Sequence, residues 1–278
     1  MKTEKMYSDT PKILILAVHG PYEPWLSILE KGQLPTWMKH SNIQVINVFG
    51  KKMSPRKQKL DQKIYFLRWN KLASISYLSL AIEGALKKTF FINRWLPKII
   101  SSTDSVYGEK MEIQMPDSLL LQGVKNMAAI RHSLAFDYDY LITTITSSYL
   151  NTHCIVNTLR NTPREFYLGG RIELSGGVNF QQGSFRVFSR DVVRFVNENA
   201  HLYKHWQIED IAMGNLVRKY TPNFFELRNL TITSLEDAKN LSSELVRNTC
   251  SLRCKSTMSD GTRMDSLIML ELHEKLTP

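Results

Sequence analysis

Cysteine is scarce in this chain. Cys154, Cys250 and Cys254 are the three in 278 residues, an odd number without the paired spacing of a zinc site, which argues against a disulfide framework or a structural metal and leaves three buried thiols. Long apolar runs are missing as well. The nearest candidate, LASISYLSLAIEGAL, is interrupted by polar residues and Glu83, short of the roughly 18 to 20 apolar residues that cross a bilayer. KTEKMYSDTPK precedes the short run ILILAV with no cleavage-site pattern, so residues 1–11 read as a flexible tail before a first strand, and a cytoplasmic location is the expectation. No P-loop sequence occurs, and Gly169-Gly170 and Gly176-Gly177 lack the dinucleotide fingerprint, which removes support for kinase and dehydrogenase readings. His201 and His205 lie four apart but have no Glu beside the first, so the metalloprotease pattern is absent and a solvated pair is expected. There is no internal repeat and no low-complexity segment.

Acidic residues are sparse in one region only. Between Lys51 and Lys98 stand twelve Lys and Arg against Asp61 and Glu83, so this block carries the whole net charge of +10. It reads as a basic, mostly helical insertion over 51–100 with a short strand at Ile64–Arg68. A solvated basic face is the plain explanation. An anionic membrane surface, an acidic glycan or nucleic acid are the binding alternatives, given the interleaved Trp69, Tyr77, Phe90, Phe91 and Trp95.

The rest of the chain, with 43% hydrophobic residues overall, suits one large globular domain, 1–278. Ile13–Val18 predicts a buried strand ending in the loop His19–Pro24, Trp25–Lys39 a helix interrupted at Gly32 and Pro35, and Ile43–Phe49 a second strand. Strand, helix, strand opens an α/β sheet whose ligands sit at the carboxyl ends of strands. Ser101–Gly108 reads as a loop, Met111–Met115 as a strand, Pro116-Asp117 as the start of a helix, and Asp139–Thr144 as another strand. Phe185–Phe188 alternates as a strand running into a helix capped by Ser189, with Val192, Val193, Phe195 and Val196 at helical spacing. Glu209 and Asp210 fall in the first turn of the next helix, either as plain caps favoured by the macrodipole or as carboxylates facing a cleft. Beyond Tyr220 the pattern predicts a strand near Phe224, a helix opening at Ser234, a strand near Leu245 and a final helix over Thr262–Lys275.

The order of these motifs resembles the GT-A glycosyltransferases, in particular the β-1,3-galactosyltransferase and Fringe-like groups. The matching features are Thr36-Trp37, Asp117 with Lys125, the stretch FDYDYLITTITSSYLN, Gly183, Ser189 to Asp191, and Glu209 with Asp210. The resemblance implies a mixed, mostly parallel central sheet flanked by helices. It also implies transfer of a sugar from a nucleotide-sugar donor to a glycan or lipid-linked glycan acceptor, with inversion. Asp210 would be the base and Glu209 would orient the acceptor or the helix, while Gly183, Ser184 and Trp206 would meet the acceptor.

One departure stands out. Where that group carries an acidic metal-binding triplet, this chain has Ile145, Thr146 and Ser147, which offer no carboxylate to a hard cation. No cofactor is expected on this reading, a divalent cation such as Mn²⁺ being the alternative. The leaving diphosphate then needs protein cations, and Arg253, Lys255 and Arg263 are the candidates. Arg253 and Lys255 equally fit side chains alternating outward from a strand that buries Leu252 and Cys254. His19, Gly20, Thr146, Ser147 and Ser148 complete the expected donor site. A non-catalytic sugar- or nucleotide-binding protein on the same fold is the second reading. A basic membrane-surface or nucleic-acid binder is the third, although nucleic acid is not the expected partner; peripheral attachment through 51–98 would be at the inner face of a membrane.

Overall fold

Ile13–Val18 (β1) is buried along its whole length, as a continuous apolar run predicts for a central strand covered on both faces. The computed structural model describes residues 10–39, 43–67, 97–175, 178–205, 207–220 and 222–277, without the side chains of 66–67 and 172–179. Around β1 the chain builds an eight-stranded sheet in the order β3-β4-β2-β1-β5-β8-β7-β9. Its members are β2 (Gln44–Lys51), β3 (Ile99–Asp104), β4 (Gly108–Pro116), β5 (Tyr140–Ile145), β7 (Tyr167–Ser175), β8 (Val178–Ser189) and β9 (Asn223–Glu226). The β1–β2, β1–β5, β2–β4 and β7–β9 pairs are parallel, and β3–β4, β5–β8 and β7–β8 antiparallel. The expected mixed, mostly parallel sheet flanked by helices is what the structure shows.

Alternate residues of β1 feed two cores. Leu14, Leu16 and Val18 pack with α3 (Gln122–Ser133), α5 (Arg190–Glu198) and α6 (Glu209–Val217) on one face. Ile13 and Ile15 face the other core, with α1 (Trp25–Ile28) and its π-helical continuation Leu29–Met38, broken at Thr36 just after Pro35, α4 (Thr152–Arg160), α7 (Leu235–Asn240), α8 (Ser243–Arg247) and α9 (Asp265–Glu274). A small sheet, β10 (Asn229–Ile232), β11 (Ser251–Cys254) and β6 (Ser148–Leu150), closes this second layer.

Several elements differ from the sequence expectation. Ile64 lies within helix α2 (Pro55–Leu67), not a strand. The first half of the segment expected as a loop at 101–108 belongs to β3, polar because it is an edge strand with exposed side chains, and 105–107 form the turn to β4. Leu245 sits in α8, whose N-cap Ser242 accepts from the Leu245 N–H, so a local cap overrides the apolar pattern. The helix after Pro116 begins only at Gln122, leaving Asp117 in the loop before it. The last helix starts at Asp265 because Thr257 and Arg263 pair as a bridge just before it. Ser189 stands at the N-cap of α5 without capping by its side chain; its hydroxyl instead receives the Tyr167 N–H. His201 and His205 do not share a helix, since only Ala200–Leu202 is helical there. Cys154 is half-buried, while Cys250 and Cys254 are buried. Among the described residues no helix is long and apolar enough to cross a membrane.

Candidate functional site

The carboxyl ends of β1 and β5 lie side by side, Val18 opposite Ile145, and a cavity of about 490 Å³ opens there. Three distant segments meet in it. His19 and Gly20 follow β1, Thr146 and Ser147 follow β5, and Arg253, Lys255 and Arg263 arrive from the C-terminal region. The meeting is built by backbone: β11 pairs antiparallel with β6, with Arg253 opposite Ser148, and the Cys254 N–H donates to the Ser147 carbonyl at 2.7 Å. Gln33, on the π-helical stretch, holds the turn from behind. Its Nε2 donates to the carbonyls of Ile145 at 3.1 Å and Ser148 at 2.8 Å. Leu252 and Cys254 are fully buried, as the strand reading of the tail expects, and Arg253 and Lys255 line the opening.

Of the remaining walls, Tyr22 falls in the loop His19–Pro24 and Asp117 and Lys125 among the motif residues, while the others were not singled out as site residues from sequence. Tyr22 and Trp25 stand behind Gly20, Gln58, Asp61 and Gln62 come from α2, and Asp117, Ser118, Leu119, Gln122 and Lys125 come from the turn before α3 and the helix itself. A Cβ on Gly20 would lie 2.8 Å from the Trp25 ring, so glycine there lets the indole stand against the chain. Trp25 also stacks under Arg263, whose guanidinium carbon is 5.0 Å from the ring centroid. Fully buried Asp265 holds that guanidinium at Nε and Nη2. Lys125 pairs with Asp117, both almost wholly buried, and also donates to the His19 carbonyl at 3.2 Å. Of the four cationic side chains on the lining, Lys125 is paired with Asp117 and Arg263 with Asp265, and Arg253 and Lys255 add further positive charge.

His19 fixes a proton arrangement at the cavity floor. Asn47 Nδ2 donates to the Tyr107 carbonyl at 2.7 Å, which turns Asn47 Oδ1 toward His19 Nε2 at 2.8 Å. An oxygen acceptor requires the proton on Nε2. Burial lowers the His19 pKa to about 3, with the Lys125 charge acting in the same direction and the Asn47 bond against it, so the ring is neutral and Nδ1 is an acceptor. The Thr146 hydroxyl, 2.9 Å away, therefore spends its hydrogen on His19. Toward a ligand Thr146 presents lone pairs, a partner for a sugar or ribose hydroxyl rather than a phosphate oxygen.

The other expected residues stand apart from this cavity. Ser148 is fully buried and donates to the Ser184 carbonyl, which Thr144 also reaches. Ser184, 1% exposed, turns its hydroxyl to Gln182 and has no surface to offer an acceptor. The space above Gly183 is filled from within: a Cβ there would lie 2.5 Å from Asp210 Oδ1, so this glycine admits a carboxylate of its own chain, not close approach by an acceptor. Trp206 lies outside the described residues.

Glu209 and Asp210 open α6 as expected, but they grip a cation that sequence reading missed. Arg186, on β8 and 1% exposed, donates to both Glu209 oxygens at 2.7 and 2.6 Å and to Asp210 Oδ1. Burial alone would lower the guanidinium pKa; the two carboxylates outweigh it and raise it. Burial raises Glu209, yet the facing Arg186 charge holds it down at about 2. Asp210 shares that cation. Burial, opposed by Arg186 and reinforced by the Glu209 charge, leaves it raised to about 7. The group adjoins the cavity through α3: Gln122, on the lining, donates to Asn126 Oδ1 at 3.4 Å, and Asn126 bonds Glu209.

No protein-family model matches the sequence, and no curated protein matches it. Among solved structures the chain is similar to the galactosyltransferase LgtC in complex with donor and acceptor sugar analogs, at 10% identity and a TM-score of 0.46, covering 95% of this chain and 96% of that one. An active-site mutant of LgtC aligns at 11% identity and a TM-score of 0.44, covering 95% and 96%. The glycosyltransferase GlyE of Streptococcus pneumoniae TIGR4 aligns at 11% identity and a TM-score of 0.42, covering 97% of this chain and 61% of GlyE. These are distant likenesses of chain path and carry nothing about chemistry.

The residues after β5 do not fit a divalent cation. Ile145, Thr146 and Ser147 hold no carboxylate, and among the described residues no group of three His, Cys, Asp or Glu side chains could hold a metal ion. Hard cations are held mainly by carboxylate oxygens, which this position lacks.

Proposed function

We propose that the chain is a glycosyltransferase of the GT-A type, akin to the β-1,3-galactosyltransferase and Fringe-like groups, that uses a nucleotide-sugar donor without a metal ion. The observation that carries this reading is the convergence of Lys125, Arg253, Lys255 and Arg263 on one cavity beside Trp25 and Tyr22. Such a set matches a ligand with a diphosphate, an aromatic base and hydroxyl groups. Ser147 donates to the phosphates, and Thr146 accepts from a hydroxyl. The acceptor is a glycan or lipid-linked glycan, and the reaction takes place in the cytoplasm.

In the proposed reaction a carboxylate takes the proton of the acceptor hydroxyl, the hydroxyl oxygen bonds the anomeric carbon with inversion, and the bond from that carbon to the diphosphate breaks; Asp210, which stands off the cavity lining, is the base by resemblance alone. The diphosphate leaves on the cations, which supply the charge stabilisation a metal would give elsewhere. A carboxylate raised to about 7 suits a base working near neutrality. Glu209, bound at both oxygens by Arg186, keeps the start of α6 in place. The same grip favours a second reading, a non-catalytic sugar-nucleotide binder, because Arg186 occupies the carboxylates and Asp210 is not on the cavity lining.

The test is a thermal-shift and hydrolysis screen against nucleotide sugars, each with EDTA and with Mn²⁺. A donor at about a hundred times its Kd stabilises the fold by about 2.7 kcal/mol, on the order of 4–5 °C for a chain of this size. The expected result is one donor giving the same shift in both conditions. A shift that needs Mn²⁺ overturns metal independence, and no shift with any donor removes the donor site. Asp210→Asn should abolish transfer with donor affinity retained; a variant that still turns over excludes Asp210 as base.

A further inference from the structure

Helix α2 is built inside out. At about 100° per residue, Leu60 and Ile64 share one stripe, flanked by Arg56, Lys57 and Lys63, and this stripe faces solvent: Leu60 is 58% and Ile64 43% exposed, and the three cations are exposed as well. The opposite side carries Gln58, Asp61 and Gln62, which line the cavity. An ordinary surface helix does the reverse, turning its apolar stripe to the core and its polar side outward. The charge is sorted in the same way. From Lys51 to Leu67 there are six Lys and Arg and a single acid, Asp61, and Asp61 is turned inward onto the Ser118 hydroxyl and the Leu119 N–H.

We propose that the outer face of α2 docks on an anionic lipid surface, with Leu60 and Ile64 entering the headgroup layer and Arg56, Lys57, Lys59 and Lys63 meeting lipid phosphates. An apolar pair within a ring of cations is the composition of an interfacial helix, whose binding combines buried apolar area with attraction to anionic lipid. A nucleic-acid groove would be met by the cations but has no use for two exposed aliphatic side chains at the centre of the patch. Because the inner face of the same helix forms a cavity wall, docking brings the cavity to the headgroups. On the transferase reading, to which this last step is tied, the acceptor is then borne by a lipid.

The test uses the full chain with vesicles of phosphatidylcholine alone and of phosphatidylcholine with phosphatidylglycerol. Co-sedimentation with the anionic vesicles only, weakening as salt rises, is expected. Arg56→Glu with Lys57→Glu and Lys63→Glu should lower vesicle affinity on the order of a hundredfold, from about tenfold or less per cation near an anionic surface. Leu60→Ser with Ile64→Ser should lower it with the charge intact. Both variants should keep the melting temperature and the donor-induced shift of the parent, since neither touches the cavity side of α2. Equal recovery on both vesicle types, no recovery on either, or unchanged binding by the variants overturns the proposal. Capture of duplex DNA without vesicle binding overturns it in favour of nucleic acid. A donor shift persisting after such a failure leaves the transferase reading standing, and vesicle binding without any donor shift does the converse.

Discussion

Arg186→Met isolates the part that the buried guanidinium plays. The substitution keeps much of the apolar stem's volume but leaves Glu209 and Asp210 facing each other without their shared cation. Breaking a buried ion pair from one side costs about 3–5 kcal/mol. The low end applies because the Glu209 and Asp210 side chains retain 11% and 28% exposure, so water and protonation relieve part of the repulsion. For 278 residues the unfolding entropy is about 0.6 kcal/mol/K, so a loss of about 3 kcal/mol lowers the melting temperature by about 5 °C. The loss has a defined pH dependence. Without Arg186 both carboxyl groups take up protons more readily in the folded state than in the unfolded chain, so protonation stabilises the variant: the deficit is largest above neutrality and shrinks toward pH 5. Melting curves of wild type, Arg186→Met, and Arg186→Met combined with Glu209→Gln and Asp210→Asn would be recorded across that range. The combined variant should recover most of the loss at pH 8. A deficit that does not vary with pH, or that the combined variant fails to repair, refutes the electrostatic account and leaves only a packing defect.

Three further outcomes are expected. In the wild type, Asp210 is raised to about 7, so its stabilising contribution is complete below its unfolded pKa and is lost as pH rises through 7. Asp210→Asn should remove this component from the pH–melting profile, whereas Glu209, lowered to about 2, contributes stability present above its unfolded pKa and lost only in strong acid. Thr146→Val deletes the hydroxyl bonded to His19 Nδ1 and the lone pairs offered to the ligand; donor affinity should fall about tenfold, near 1.4 kcal/mol, while Thr146→Ser keeps it. An unchanged donor isotherm for the valine variant rejects the contact between Thr146 and the donor. The sulfurs of Cys154 and Cys250 lie 2.6 Å apart, so oxidised glutathione should convert this pair to a disulfide, releasing two glutathione molecules and leaving one titratable thiol in the denatured protein. Three thiols recovered after such treatment would contradict that contact.

The sheet was readable from sequence where hydrophobic pattern and burial coincide. The runs at Ile13–Val18, Asp139–Thr144 and Phe185–Phe188 each mark a strand of the central layer because apolar residues there have no other stable place. Patterning misleads where a few polar contacts decide. Edge strand β3 is polar and reads as a loop, and α8 is set by Ser242 rather than by Leu245 and Val246. The cavity was partly legible: His19, Gly20, Thr146, Ser147, Arg253, Lys255 and Arg263 converge in space although they are scattered along the chain. The walls from α2 were not, since Gln58, Asp61 and Gln62 sit in a charged stretch that spacing alone assigns to solvent. Arg186 was hidden for another reason. In FRVF it looks like the outward residue of an alternating strand, and only the fold brings α6 and its two carboxylates over that face.

Asp61 sets the clocking of α2 about its own axis. Two bonds from one carboxylate to Ser118 and Leu119 act as a key in a slot, opposing a roll that would carry Gln58 and Gln62 off the cavity wall. The two faces are thereby decoupled. On the proposed readings, substitutions at Arg56, Lys57, Leu60 or Ile64 should alter lipid docking and leave donor binding unchanged, whereas loss of Asp61, whose bonds tie the helix to Ser118 and Leu119, should affect both. A lysine-rich helix thus has at Asp61 an inward acid that fixes which of its sides faces the cavity.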